Sequence, residues 1–499
     1  MCTGALPTGP PCCLPACVSR PSDKVDRRVK RISWLALALA VPAFLAGCGG
    51  GSSTTTTISG SGLNSLGLSP AVATNFVQTE NNLQIKVEEG PQSFGINTNL
   101  LYATVKVCTP GDATQCDTID HVIVDTGSVG LRVLASKVVH AVLPPIQLSA
   151  NLAPVQNAWQ CFPFVIGGLW GANVKADIIL GTQKTTFPPV AIQLIDDQGA
   201  LAPTANCLDV TNSTAQNSNI LSSAGSLGAN GILGIGSTNL DCGSDCKFGQ
   251  YQDRPNNIFT GSSVLYYMCP QGTSDPTACS LAPMDVPFQV SNPVSALATA
   301  FSGGVALVMP AIPDGQPGAA TASGELILGV DTRANNTVPT GVRKVKLGVG
   351  MALNPDSYLS ITTQFNGMTF ANSYLDTGTN ALFFYDPSIA TCRGSTWYCP
   401  PGKMNVEALL SDGDGPVPPP LADTVAVPFQ IGNFEALSST RNTAFGNAAG
   451  YVPMTSGAPD TTTFAWGMPF FYGKKVYMSI WDITGPIVAP WYAWTAAPL

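Results

Sequence analysis

The chain has 499 residues, of which 45% are hydrophobic and only 11% are charged. That length is too great for one simple core and suits two lobes, while so little charge argues against long solvated helices. The formal net charge is -8, and an acidic surface argues against nucleic acid or anionic lipid as partners. Frequent Gly (50) and Pro (41) between short apolar runs are typical of an all-β protein with many turns.

The first 47 residues contain a basic stretch, Arg27 to Arg31, followed by the apolar run Ile32 to Ala46. This run is shorter than the ~20 residues that a membrane-spanning helix needs. A basic stretch before a short apolar run indicates a secretory signal. Residues 1–24 do not fit such a signal, and a start codon at Val25 or Val29 is an alternative to the one at Met1.

The signal ends in Leu-Ala-Gly-Cys48, which resembles the lipobox of bacterial lipoproteins. The resemblance implies that Cys48 is lipidated and becomes the mature N-terminus, although an ordinary signal with a chance cysteine is an alternative. Gly49 follows where an aspartate would retain a lipoprotein at the inner membrane. We therefore expect a protein of the cell envelope, at the outer membrane, that contacts the bilayer through its lipid anchor alone.

A tether of residues 48–84 follows the signal. Its first part is rich in Gly, Ser and Thr and has nothing to bury, which is typical of a flexible linker. We expect it to hold a folded domain away from the membrane.

Ten cysteines lie beyond the tether, an even number in an oxidising compartment, so disulfides are expected. Cysteines that are close together in the sequence are expected to pair, which gives four disulfides and leaves two more distant cysteines to form the fifth. The predicted pairs are Cys108–Cys116, Cys161–Cys207, Cys242–Cys246, Cys269–Cys279 and Cys392–Cys399. Zinc at Cys242 and Cys246 is the alternative, but only His121 and His140 are available beyond the signal and neither is near that pair, so we expect no metal.

One motif occurs in both halves of the chain. The first copy is Asp125-Thr126-Gly127-Ser128, and the second is Asp376-Thr377-Gly378-Thr379; each lies between apolar runs. Each half then carries a run of two apolar residues and a glycine, as Ile232-Leu233-Gly234 and Ala465-Trp466-Gly467. A single Asp-Thr-Gly is most simply a turn, because Asp and Gly are common turn residues. Two copies, each with its apolar partner, favour a duplicated functional motif.

These motifs resemble the pepsin-like aspartic peptidases. In that family each lobe carries Asp-Thr-Gly on a loop beside an apolar–apolar–Gly strand. The runs Tyr102–Val107, Gly324–Asp331 and Trp466–Ile480 are similar to family strands at the start and end of the lobes. The resemblance implies an all-β, bilobal fold with lobes at 85–335 and 336–499 and a cleft between them.

The resemblance also implies roles for the motif residues. Asp125 and Asp376 are the candidate catalytic carboxyls, which share one proton because like charges so close cannot both ionise cheaply. Thr126 and Thr377 are expected to cross-link the loops beneath the carboxyls. In the same way, Gly127 and Gly378 allow close backbone approach, and Ser128 and Thr379 are expected to hold the outer carboxylate oxygens.

The sequence departs from the family in the hairpin flap that covers the cleft. We expect the flap tip at Gly167 and Gly168, as a mobile lid above the carboxyls, but the family's flap tyrosine is missing. Trp170 or Phe164 is the expected aromatic cap, although packing in a core is an equal alternative for Trp170. Arg132 stands where the family often has a tryptophan, and we expect it to make a polar contact below Trp170.

The sequence therefore predicts an aspartic endopeptidase that acts on peptides or proteins, needs no cofactor and is a monomer. The alternative is a non-catalytic envelope lipoprotein that binds peptide or protein on the same fold. A serine hydrolase is disfavoured, because the chain has no G-x-S-x-G motif.

Overall fold

The computed structural model describes residues 68–91, 98–149, 153–165, 167–186, 188–208, 219–249, 264–315, 317–349, 359–453 and 457–497. The signal, Cys48 and most of the tether lie outside these residues, so their roles stay predictions. Within the described ranges, no helix has both the length and the apolar character needed to cross a membrane.

Strands dominate the described residues, and the helices are short. The strands are β1 (Val72–Ala73), β2 (Asn82–Val87), β3 (Leu101–Thr109), β4 (Asp112–Asp125), β5 (Val129–Leu134), β6 (Gln147–Ser149), β7 (Gln156–Phe164), β8 (Gly167–Leu180), β9 (Gln183–Lys184), β10 (Val190–Ile195), β11 (Gly231–Ile235), β12 (Leu265–Pro270), β13 (Ser280–Leu281), β14 (Gly304–Val308), β15 (Ala322–Leu328), β16 (Val345–Lys346), β17 (Ile361–Phe365), β18 (Met368–Leu375), β19 (Leu382–Phe383), β20 (Met404–Ser411), β21 (Val425–Ile431), β22 (Ala449–Gly450), β23 (Ala465–Trp466), β24 (Lys474–Ser479) and β25 (Trp491–Ala496). The α-helices are α1 (Ala224–Leu227), α2 (Ser244–Lys247), α3 (Thr299–Ser302) and α4 (Phe434–Ser438). Short 3-10 helices cover Ala135–Lys137, Pro276–Ala278, Val286–Phe288, Leu421–Asp423 and Met468–Phe470. The all-β prediction is confirmed.

The strands of the described residues form two sheets, one for each lobe. The second sheet contains β17 to β23, and the first contains the other strands. The last two strands return to the first sheet, where β24 pairs with β14 and β25 pairs with β16. The fold is therefore bilobal, and its closing hairpin belongs to the sheet of the first lobe.

The repeated motif of the sequence is a repeated arrangement of strands. In the first lobe, β11 lies between the two strands that flank the first Asp-Thr-Gly, parallel to β4 and antiparallel to β5. In the second lobe, β23 lies parallel to β18 and antiparallel to β19. The two lobes thus present their Asp-Thr-Gly loops in the same local architecture.

A glycine makes each of these threaded strands possible. A Cβ on Gly234 would lie 2.8 Å from backbone atoms of Val129 and Gly130, and one on Gly467 would lie 2.1 Å from the Ala381 carbonyl oxygen. Real Cβ atoms do not approach backbone so closely, so the apolar–apolar–Gly pattern reflects the tight passage of the strand behind the loop.

The core is continuous through both lobes. One cluster of buried side chains includes Val124 and Leu233 behind the first loop, Leu375 and Phe464 behind the second, and Met478 of the closing hairpin. Both loops therefore pack against the same hydrophobic core, which suits a site that needs fixed geometry.

Five disulfides link the described cysteines in the predicted pairs, Cys108–Cys116, Cys161–Cys207, Cys242–Cys246, Cys269–Cys279 and Cys392–Cys399. Four of them lie in the first lobe and the fifth lies in the second. The Cys161–Cys207 link is buried and ties β7 to the segment that follows β10.

Candidate active site

The two Asp-Thr-Gly loops meet between the lobes. Asp125 is the last residue of β4, and Asp376 follows the last residue of β18. Strand β11 pairs with β4 and β23 pairs with β18. These pairings fix the ends of β4 and β18, where the two aspartates lie. The structure thus brings together the two candidate catalytic residues that the sequence indicated.

The inner oxygens of the two carboxyls share one donor. The Gly127 N–H lies 2.8 Å from Asp125 Oδ1 and 3.1 Å from Asp376 Oδ1. On the other side, the Gly378 N–H donates to Asp376 Oδ1 at 2.7 Å. Backbone amides therefore hold both inner oxygens at one point.

The outer oxygens are held by hydroxyls. Ser128 Oγ donates to Asp125 Oδ2 at 2.5 Å, and Thr379 Oγ1 donates to Asp376 Oδ2 at 2.5 Å. These two residues occupy the same position in the two copies of the motif. Each carboxyl is thereby fixed in its plane by one hydroxyl and one or more amides.

The threonines link the loops beneath the carboxyls. The Thr377 N–H donates to Thr126 Oγ1 at 2.9 Å, and the Thr126 N–H donates to Thr377 Oγ1 at 3.2 Å. Each hydroxyl in turn donates to a carbonyl of the opposite lobe, from Thr377 to Val124 at 2.7 Å and from Thr126 to Leu375 at 3.2 Å. Both threonines are buried, so the lobes are joined by a symmetric set of hydrogen bonds that water does not reach.

The environment of Asp376 favours its protonated form. Burial raises the pKa of Asp376, and the adjacent Asp125 carboxylate raises it further by charge repulsion. Hydrogen bonds from Thr379 and the Gly378 amide act in the opposite direction. A carboxyl that keeps its proton can donate it to a neighbouring group.

Among the described residues, no group of three or more His, Cys, Asp or Glu side chains is arranged to hold a metal ion. The arrangement that is present, two carboxyls whose inner oxygens meet at the Gly127 N–H, is suited to general acid and base work on a water molecule.

The expected role of Trp170 as a cap over the cleft is wrong. Its side chain is 1% exposed, its indole N–H donates to the Leu201 carbonyl at 2.8 Å, and it stacks on Trp159 and meets the edge of Tyr267. Successive side chains of a strand point to opposite faces, so Trp170 lies on the face of the hairpin away from Leu169. It belongs to a small core built on the Cys161–Cys207 disulfide.

The hairpin of β7 and β8 does not stand free as the expected mobile lid. At its tip, the Gly168 N–H donates to the Asn219 carbonyl at 2.9 Å, and the Leu221 N–H donates to the Gly168 carbonyl at 2.8 Å. A Cβ on Gly167 would lie 2.4 Å from the Asn219 carbonyl oxygen. Further back, β12 pairs with β7, so the hairpin is part of a wider sheet. Phe164, the other candidate cap, is half-buried and packs with Leu221 and its neighbours.

Arg132 also differs from the expectation, because its contacts are to the opposite face of the hairpin from Trp170. Its guanidinium lies 3.8 Å from the centre of the Phe162 ring and forms an ion pair with Asp241 at 2.9 Å. The sequence did not single out Asp241, nor Gln160, whose side-chain amide donates to the same Asp241 oxygen at 2.6 Å. The available signal was an arginine inside the apolar run of β5, since a buried arginine needs an acidic partner.

This chain matches one family model and a number of solved structures. The model of the family described as "Protein of unknown function (DUF3443)" matches residues 77–494. No curated protein matches the sequence. Among the solved structures that match, the crystal structure of aspartic proteinase from Irpex lacteus has 12% sequence identity and a TM-score of 0.45, over 83% of this chain and 96% of that chain. The fold assignment rests on the strand pairing described above.

Proposed function

This chain belongs to the DUF3443 family, and from the geometry of its aspartate pair we propose that it is an aspartic endopeptidase. Its substrates are peptides or proteins in extended form. The proposal places the enzyme at the cell envelope, held by a lipid on Cys48, which lies outside the described residues.

A single observation carries this proposal. The inner oxygens of Asp125 and Asp376 converge on one N–H group, that of Gly127, at 2.8 and 3.1 Å. Two carboxyls from distant parts of a chain are costly to hold so close, because their charges repel. Hydrogen bonds from Ser128 and Thr379 support each carboxyl on its outer side, as a site that must be held in one geometry requires.

The proposed chemistry uses a water molecule between the carboxyls. The water oxygen attacks the peptide carbonyl carbon, and the Asp125 carboxylate accepts a proton from this water. The Asp376 carboxyl gives its proton to the carbonyl oxygen, so a neutral tetrahedral diol forms. The C–N bond then breaks: Asp125 returns its proton to the leaving nitrogen, and Asp376 recovers a proton from the diol. Both products leave with the pair in its starting state.

The test is incubation of the full chain, purified in detergent, with a mixed peptide library from pH 3 to 8. We expect internal cleavage of peptides, and a statine-type inhibitor should block it because its hydroxyl takes the place of the water. A metal chelator is the matched control and should leave cleavage unchanged. The proposal fails if no peptide is cut at any pH, or if the chelator stops cleavage and the statine does not.

A further inference from the structure

A buried ion pair lies next to the loop of Asp125. The Arg132 and Asp241 side chains are both fully buried, and the Arg132 Nη2 to Asp241 Oδ2 distance is 2.9 Å. Arg132 lies in β5 between Leu131 and Val133, which are themselves buried apolar side chains. Because burying two charges costs about as much as their attraction returns, an apolar pair of similar volume would stabilise the lobe at least as well. The pair therefore needs an explanation other than stability.

On one side the pair contacts the loop of the candidate catalytic aspartate. Arg132 Nη1 donates to the Val129 carbonyl at 2.7 Å. The preceding residue is Ser128, whose hydroxyl holds Asp125 Oδ2. The guanidinium thus fixes the backbone one residue from the group that orients the carboxyl.

On its other side the pair contacts the hairpin. Phe162 of β7 stacks on the guanidinium at 3.8 Å, and Gln160 of the same strand donates to Asp241 at 2.6 Å. Tyr266 of β12 donates to the second oxygen of Asp241 at 2.9 Å. Only the planar, five-donor guanidinium can meet an aromatic face, a carboxylate and a carbonyl at once.

We propose that Arg132 is a positioning residue for Asp125: with Asp241 it fixes the β7–β8 hairpin against the loop that carries the candidate catalytic carboxyl. This inference rests on the proposed function for its effect on turnover. The hairpin, which strand β12 and the Leu221 segment also hold, is then not the expected mobile lid, and the buried pair links it to the Asp125 loop. Arg132 touches neither the substrate nor the reacting atoms and acts through Val129 and Ser128.

The test compares two double variants of the full chain. Arg132→Met with Asp241→Asn removes both charges and keeps side chains of similar size. The matched control is Asp177→Asn with Lys184→Met, which removes another ion pair of the same lobe, at 2.7 Å, on β8 and β9. Thermal melts establish that each variant is folded.

We expect the Arg132/Asp241 variant to lower kcat at least ~10-fold while KM changes less than ~2-fold, since misplacing a catalytic group slows the chemical step more than binding. The control variant should keep both constants within ~2-fold of wild type. Equal kcat values for the two double variants would overturn the inference. If the Arg132/Asp241 variant does not fold, Phe162→Leu at a half-buried position takes its place, with the same expected direction.

A second readout needs no catalysis. Hydrogen exchange at the amides of Cys161, Phe162 and Leu169 should be at least ~10-fold faster in the Arg132/Asp241 variant than in wild type, and unchanged in the control. Unchanged exchange in the first variant contradicts the inference even if the enzyme is active. Faster exchange in a protein that cuts no peptide supports the structural contact and counts against the peptidase instead.

Discussion

Each glycine of the Asp-Thr-Gly loops packs against the carboxyl of the opposite lobe. A Cβ on Gly127 would lie 2.6 Å from Asp376 Cγ, and a Cβ on Gly378 would lie 2.7 Å from Asp125 Oδ1. The glycines therefore do more than permit a turn, because their missing side chains leave room for the two carboxyls to meet.

Gly127→Ala should remove activity without unfolding the chain. The new methyl group must displace the Asp376 carboxyl from its place beside Gly127, and a displacement of about 1 Å costs on the order of 100-fold in rate. Peptide hydrolysis and a thermal melt measure the two effects separately. Gly402→Ala is the control, since a Cβ there meets nothing within 4 Å. Activity of Gly127→Ala within a few-fold of the control would contradict the packing argument.

The sequence indicated individual site residues where they belong to a local motif. Asp125, Thr126 and Ser128 could be assigned positions because their pattern recurs in the second half of the chain. Asp241 could not be paired with Arg132 in advance, because the two are far apart in the chain and only the path of the intervening strands brings them together.

The hairpin shows why single elements are harder to predict. Its strands and Gly-rich tip were visible in the sequence, but the face that each side chain occupies depends on neighbours elsewhere in the chain. Strand β12, which follows the hairpin at a distance, pairs with β7 and brings Tyr267 against Trp170. That pairing converts the expected cap into part of a core.

Trp170→Ala should destabilise the first lobe and leave the active site intact. Loss of a buried tryptophan costs roughly 3–5 kcal/mol, and the indole hydrogen bond to Leu201 is lost as well. Urea unfolding measures the change in free energy, and titration with a statine-type inhibitor at low temperature measures binding by the folded fraction. Val165→Ala at the exposed turn of the same hairpin is the control and should change neither. A large loss of inhibitor affinity with little loss of stability would show that Trp170 contacts the inhibitor in the cleft and does not belong to the core.

For the whole molecule, the bilobal plan followed from the duplicated motif and the turn-rich composition. The return of β24 and β25 to the first sheet was not predictable from local pattern, since the strands that they join are set by the overall path of the chain. This return places one continuous core beneath both loops.

The raised pKa of Asp376 should appear in the pH dependence of stability. Between the two pKa values the folded protein keeps a proton that the unfolded chain has released. The contribution of this carboxyl to stability is therefore complete below its unfolded pKa of ~4, and is lost as pH rises through the raised pKa of the folded state. The loss is about 1.4 kcal/mol for each pH unit in which only the folded state holds the proton. Urea unfolding of wild type and Asp376→Asn between pH 4 and 8 measures it.

Asp376→Asn cannot titrate at this position, so its stability should fall less over the same pH range. The difference between wild type and variant isolates this carboxyl from the others in the chain. A wild-type protein that gains stability relative to the variant as pH rises would show that the pKa of Asp376 is lowered rather than raised.

The most direct test of the central claim is a single turnover of one peptide in oxygen-18 water by wild type, Asp125→Asn and Asp376→Asn. We expect wild type to place one heavy oxygen in the new carboxyl group of the product and none in its own carboxyls, because water attacks without a covalent intermediate. Neither variant should release product above the uncatalysed level, although both remain folded by thermal melt. Labelled product from either variant at the wild-type rate, or heavy oxygen in an enzyme carboxyl, would contradict water activation by the Asp125–Asp376 pair.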